Sequence, residues 1–216
     1  MARIDPELEA VAGMPDDDRR LAAKGSLATS AIFAIGPIGA LAVLWGLAAT
    51  WWPTLPAKIP LHFDSAGVPD RWGPATAANW FMLPFVATWM TAIIGGLAVF
   101  MPALVRHFPG IVNVPQKKRW MALSPEERLR TSEPVRWLLG LVGLLVNGLF
   151  ISMLWGTRWV AMDPDPANPT RTIGGLWPLF AMTGLLLAGV VIASLRMRTL
   201  VLRAAERRSE PHANQV

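Results

Sequence analysis

Three side chains able to do acid–base or metal chemistry lie close together in this sequence: His62, Asp64 and Asp70. An imidazole and two carboxylates make up a common facial metal-ligand set, and also a general acid–base pair with a spare charge. They sit in the run Leu55-Pro-Ala-Lys-Ile-Pro-Leu-His-Phe-Asp-Ser-Ala-Gly-Val-Pro-Asp-Arg-Trp-Gly73. Pro56 and Pro60 push Leu55 and Ile59 toward extended backbone. In an extended run Ile59, Leu61 and Phe63 share one face, and Pro60, His62 and Asp64 the other. Ser65-Ala66-Gly67 reads as a turn, with Gly67 suited to positive φ. Asp70 joins His62 and Asp64 only if that turn folds the chain back. The competing expectation is structural: the aspartates cap turns and His62 bonds to backbone. No recognised metal spacing is present, and Ser65 beside His62 and Asp64 matches a hydrolytic triad in composition alone.

The elements that must hold this segment are apolar. Four stretches, 25–57, 72–105, 137–157 and 172–195, contain no Asp, Glu, Lys or Arg. Each reaches the roughly 20 residues that a helix needs to cross the hydrocarbon core. Charged residues make up 16% of the 216, well below a soluble domain's quarter. The expected fold is an all-α membrane protein. It has four transmembrane helices at about 26–52, 80–105, 135–156 and 173–195, with a small proline-rich extracytoplasmic cap in the 53–79 loop. The helical domain covers 26–197, between tails at 1–25 and 198–216. The N-terminal tail has an apolar spacing suited to a short surface helix. Gly36/Ala40, Gly184/Ala188 and Gly189/Ala193 are small pairs that let helices approach closely.

Sixteen of the 20 Lys and Arg residues fall in the two tails and the loop between the second and third spans. By the positive-inside rule both termini are cytoplasmic and loops 53–79 and 158–171 face out, in a cell (inner or plasma) membrane. Seven tryptophans, Trp51, Trp52, Trp72, Trp80, Trp155, Trp159 and Trp177, mark the outer interface, and Trp120 and Trp137 the inner one. The basic excess has this topological task, so no nucleic-acid partner is expected. With no cysteine there is no disulfide, thiolate metal site or cysteine nucleophile. The four charge-free stretches hold no ionisable group, which counts against an ion-driven transporter. Asn147 is the most polar mid-span residue and should bond across helices, with Thr88, Thr91 and Thr183 as candidates. On the inner loop, Ser124-Pro-Glu-Glu127 fits a capping box opening a helix at about 124–131. Loop 158–171, with Asp163 and Asp165, reads as a stiff connector that could also bring carboxylates toward His62.

The 55–73 pattern, Leu-Pro-x-x-Ile-Pro-x-His-Phe-Asp-x-x-Gly-x-Pro-Asp-Arg-Trp-Gly, resembles the signature of the bacterial membrane family called domain of unknown function 1648. That domain also occurs in immunity proteins against the sporulation-delaying toxin. A second block, Asn113-Val-Pro115-Gln-Lys117-Lys-Arg-Trp120, is similar to the segment after the second helix in that family. One departure is Pro74-Ala75, where members often carry Ser-Lys. The resemblance implies a four-span membrane protein. In the immunity relatives it implies resistance to a secreted peptide toxin and retention of a transcriptional repressor at the membrane. The leading expectation is a non-enzymatic immunity or sensor protein that recognises a peptide toxin or envelope ligand. It would use His62, Phe63, Asp64, Gly67, Asp70, Arg71 and Trp72, with a cytoplasmic regulator at Asn113, Pro115, Lys117 and Trp120. No cofactor is expected. The alternatives are an extracytoplasmic metal-dependent enzyme or metal-binding protein using His62, Asp64 and Asp70, and a structural subunit of a membrane complex.

Overall fold

The computed structural model describes residues 35–163, 172–173 and 177–209. The expected N-terminal surface helix, the first turns of span one (26–34) and the middle of loop 158–171 lie outside them. In chain order come α1 (Ile35–Thr54, closing in a 3-10 turn), β1 (Lys58–Phe63), β2 (Pro69–Pro74), α2 (Ala77–Trp80) and α3 (Met82–His107). Then follow α4 (Lys117–Met121), α5 (Pro125–Thr131), α6 (Glu133–Ala161) and α7 (Trp177–Ser209). Among the described residues four helices are long and apolar enough to cross a membrane: α1, α3, α6 (continuous with α5 in this respect) and α7.

Two of these helices outrun the expected spans. Past 156, Thr157, Arg158 and Trp159 continue α6 to Ala161, with the Arg158 guanidinium 5.1 Å from the Trp51 ring centre. That contact gives the charge a place at the helix end. α7 continues through the first twelve residues of the expected C-terminal tail. Met197, Val201 and Ala204 extend an apolar stripe at helical spacing, and all three are buried. Burial of that stripe, not absence of charge, sets the length of α7.

Buried apolar residues gather at the two ends of the bundle. At the hairpin end, Leu44, Ala48, Ile59, Trp80, Ala87, Leu154 and Ala161 form one cluster. At the basic end, α3, α7 and the 109–123 elbow supply another, around Met101, Val105, Trp120, Met197 and Val201. Between them Asn147 is fully buried. Its Nδ2 donates to Thr91 Oγ1 (2.8 Å), to the Pro37 carbonyl (3.3 Å) and to the Gly143 carbonyl (2.9 Å). One amide thus ties α6 to α1 and α3, through one of the three threonines expected. Thr88 instead accepts from Trp45 Nε1 at 3.0 Å. Of the small pairs, Gly189 packs on α6, where a Cβ would come within 2.6 Å of Leu141 Cδ2, whereas Gly184 faces open space.

The basic-end elbow bears out its local chemistry. Ser124 Oγ accepts from Glu127 N, and Glu127 Oε2 accepts from Ser124 N at 3.0 Å, closing the capping box of α5.

Candidate functional site

The 53–79 segment, expected as a small proline-rich cap with an extended run and a turn, folds as a two-stranded hairpin followed by a short helix. Lys58–Phe63 and Pro69–Pro74 pair as an antiparallel hairpin, with Ile59 opposite Gly73, Pro60 opposite Trp72 and His62 opposite Arg71. Proline is tolerated here because, among the described residues, each strand has one neighbour only, so a missing N–H costs no second ladder. The register shifts between Pro60 and His62. The alternation of faces read from the sequence holds except at Pro60: Ile59 is buried and Leu61 packs against the same cluster, His62 and Asp64 are exposed, and Pro60 is buried beside Ile59. A bulge of this kind turns the following side chain to a new direction. His62 lies on the exposed side, away from the cluster that holds Ile59 and Leu61.

Two glycines make the hairpin possible. Gly67 has φ 79°, in the left-handed region. Gly73 faces Leu61, and a Cβ there would overlap Leu61 Cδ1. Asp64 closes the turn: its Oδ1 accepts from Ala66 N and Val68 N, both at 2.9 Å, while its own N–H donates to the Val68 carbonyl. This is the turn-capping role weighed for it. Asp70 behaves otherwise. The hairpin brings it back across the turn, where His62 Nδ1 donates to its Oδ1 at 2.6 Å. The two side chains are 59% and 47% exposed. An exposed pair of this kind adds at most ~1 kcal/mol to folding, so it does not hold the hairpin together. With Nδ1 so engaged, Nε2 is the ring nitrogen available to a hydrogen-bonding ligand.

Of the seven loop residues singled out, His62 and Asp70 meet, and Arg71, opposite His62 in the register, is exposed. Phe63 and Trp72 are half-buried flanks, and Asp64 and Gly67 build the turn. The structure pairs one imidazole with one carboxylate, not the three-ligand set; among the described residues no group of three His, Asp or Glu is placed to hold a metal.

Residues with no obvious chemistry position the site. Ile59 and Trp80 are 1% exposed and anchor the hairpin and α2 against α1 and α6. Trp80 Nε1 donates to the Ala48 carbonyl at 2.8 Å, so this tryptophan is a core pin and not part of an interface belt. α2 starts on the Thr76 cap, and Asn79 Nδ2 donates to the Pro74 carbonyl at 2.9 Å. The Gly67 carbonyl accepts from Ile173 N at 3.1 Å, joining the hairpin turn to the segment before α7. The Thr76 cap was readable in the sequence; the bond to Ile173 carried no sequence signal.

The Asn113–Trp120 block is largely structural. Trp120 is fully buried, with its Nε1 donating to Thr131 Oγ1 at 3.0 Å, so it is not an exposed interface anchor. Lys117 Nζ donates to the Gly110 carbonyl at 2.6 Å and closes the elbow. Pro115 is half-buried and Asn113 exposed.

An uncharacterized protein of Archaeoglobus fulgidus is 29% identical over 119 residues, which cover 53% of this chain and 62% of that protein. This chain thus matches less than two thirds of that relative. No solved structure matches. Residues 39–88, which hold most of α1, the whole hairpin, α2 and the start of α3, match the family model described as Domain of unknown function (DUF1648).

Proposed function

We propose that this protein is a non-enzymatic membrane receptor of the immunity or sensor type, whose hairpin recognises a peptide or envelope ligand outside the cell. The observation that carries this reading is the two-sided build of the hairpin. Ile59 and Pro60 are buried, while His62, Asp70 and Arg71 stand exposed together. A polar edge held rigid before binding loses little entropy on contact with a ligand. The exposed set offers a carboxylate, a guanidinium and an imidazole, which suits the charged and amide groups of a peptide. The basic residues at the other end favour a cytoplasmic location for it, where a regulator could be held. The likeness of the 55–73 block to toxin-immunity proteins supports a peptide as the ligand class.

The test is protection of cells against secreted peptide toxins and envelope stress, in a strain lacking the gene and carrying either the wild-type chain or His62→Ala/Arg71→Ala. Protection by the wild type that is lost in the double variant, at equal membrane levels, is the expected result. Equal protection by both, or none by either, removes the reading. Because the chain has no cysteine, single cysteines at Ser65 and near the C-terminus report sidedness; labelling of Ser65→Cys alone in intact cells is expected.

A further inference from the structure

A half-open groove of about 350 Å³ runs along the bundle between α1, α3 and α6. From Thr88 to Val99 on α3 it extends over twelve residues, about 16 Å at the helical rise. Half of a roughly 30 Å hydrocarbon core is about 15 Å, so the groove is as long as one leaflet is thick. Its lining is almost wholly apolar, and Gly95, Gly96 and Gly140 keep the walls low. A Cβ built on Gly96 would meet no atom within 4 Å.

Besides Thr88 and Thr91, the polar lining residue is Arg136, which carries the lining's one charge, is 7% exposed and lies in the first turns of α6. Its Nη1 donates to Glu133 Oε2 at 3.3 Å, and the Glu133 side chain is 38% exposed. More cations end the neighbouring helices: Arg106 on α3, and Arg128 and Arg130 on α5. An apolar channel one leaflet long with positive charge at its headgroup end matches an amphiphile of opposite charge. We infer that this groove binds one acyl chain of an anionic phospholipid, with the phosphate at the Arg136 end. A guanidinium suits this task because its fixed fork of N–H donors fits phosphate oxygens.

The test uses the purified full chain in mild detergent, titrated with phosphatidylglycerol or with phosphatidylcholine of the same acyl chains and followed by native mass spectrometry. The expected result is a one-to-one adduct that prefers phosphatidylglycerol by about ten-fold or more. Gly96→Leu, which fills the groove and replaces a poor helix former, should weaken that adduct by about ten-fold. Arg136→Gln should remove the headgroup preference. In case Arg136→Gln fails to fold, a second readout is maleimide labelling of Gly96→Cys, which phosphatidylglycerol should slow and phosphatidylcholine should not. The inference is overturned by equal binding of both lipids to the wild type, or by adducts unchanged in Gly96→Leu. It is also overturned by tighter binding of an isoprenyl phosphate. Labelling already blocked without lipid, with a disulfide forming between Gly96→Cys and a cysteine placed at 26–34, would mean that the chain's own first span fills the groove.

Discussion

Replacing Asn147 by Leu tests how the bundle is held at mid-depth. The amide makes two bonds to other helices, at 2.8 Å to Thr91 and 3.3 Å to the Pro37 carbonyl. Interhelical bonds in membranes average ~0.6 kcal/mol and reach ~1.7, because the separated helices also find partners. Two of them amount to about 1–2 kcal/mol. Asn147 Oδ1, however, is buried and has no hydrogen-bond partner among the described residues. Removing it returns part of its desolvation cost, so the loss should lie toward the lower figure. A double-mutant cycle with Thr91→Val isolates the shorter bond and should give a coupling of about 0.6–1.7 kcal/mol. The assay is reversible unfolding in mixed micelles, read by tryptophan fluorescence and circular dichroism. A coupling under ~0.3 kcal/mol is within the scatter of non-interacting sites and would refute this account of the contact.

Other substitutions probe the hairpin and the elbow. Gly73→Ala should destabilise the folded protein by about 1–3 kcal/mol through its overlap with Leu61, and Leu61→Ala should recover much of that loss in the same melts. Gly67→Ala forces a side chain into the left-handed region at φ 79° and should cost about 1–2 kcal/mol, with faster proteolysis at the hairpin turn as the local readout. His62→Ala should change the melt by less than ~1 kcal/mol, since the pair with Asp70 is exposed; a larger loss would show that the pair is structural. Trp120→Phe removes the buried bond to Thr131 and should cost about 1–3 kcal/mol, and a neutral result would return Trp120 to the membrane interface.

Local features of the sequence announced themselves wherever one short segment was enough to specify them. The charge-free stretches demanded helices, because backbone groups in lipid must be satisfied within the segment. The Ser124–Glu127 box, the turn at Gly67 and the capping by Asp64 are each closed within a few residues. The extended run at 59–64 is legible from Pro56 and Pro60, whereas its pairing with Pro69–Pro74 is not, because a two-stranded pair accepts proline at its edges and pairing depends on residues beyond the turn. Trp80 and Trp120 were assigned to interfaces by their type; packing made both of them core, each with its indole N–H satisfied by a distant acceptor.

What this chain determined by itself is the number of spans and the chemistry available at the turn, since both depend on neighbouring residues only. Which carboxylate meets His62 was decided by tertiary structure. The bulge after Pro60 and the anchoring of Ile59 and Trp80 carry Asp70 across the hairpin to the imidazole, while backbone N–H groups claim Asp64. Strand pairing brings residues eight apart into contact, and that distance in space follows from register, which a bulge resets without leaving a mark on composition.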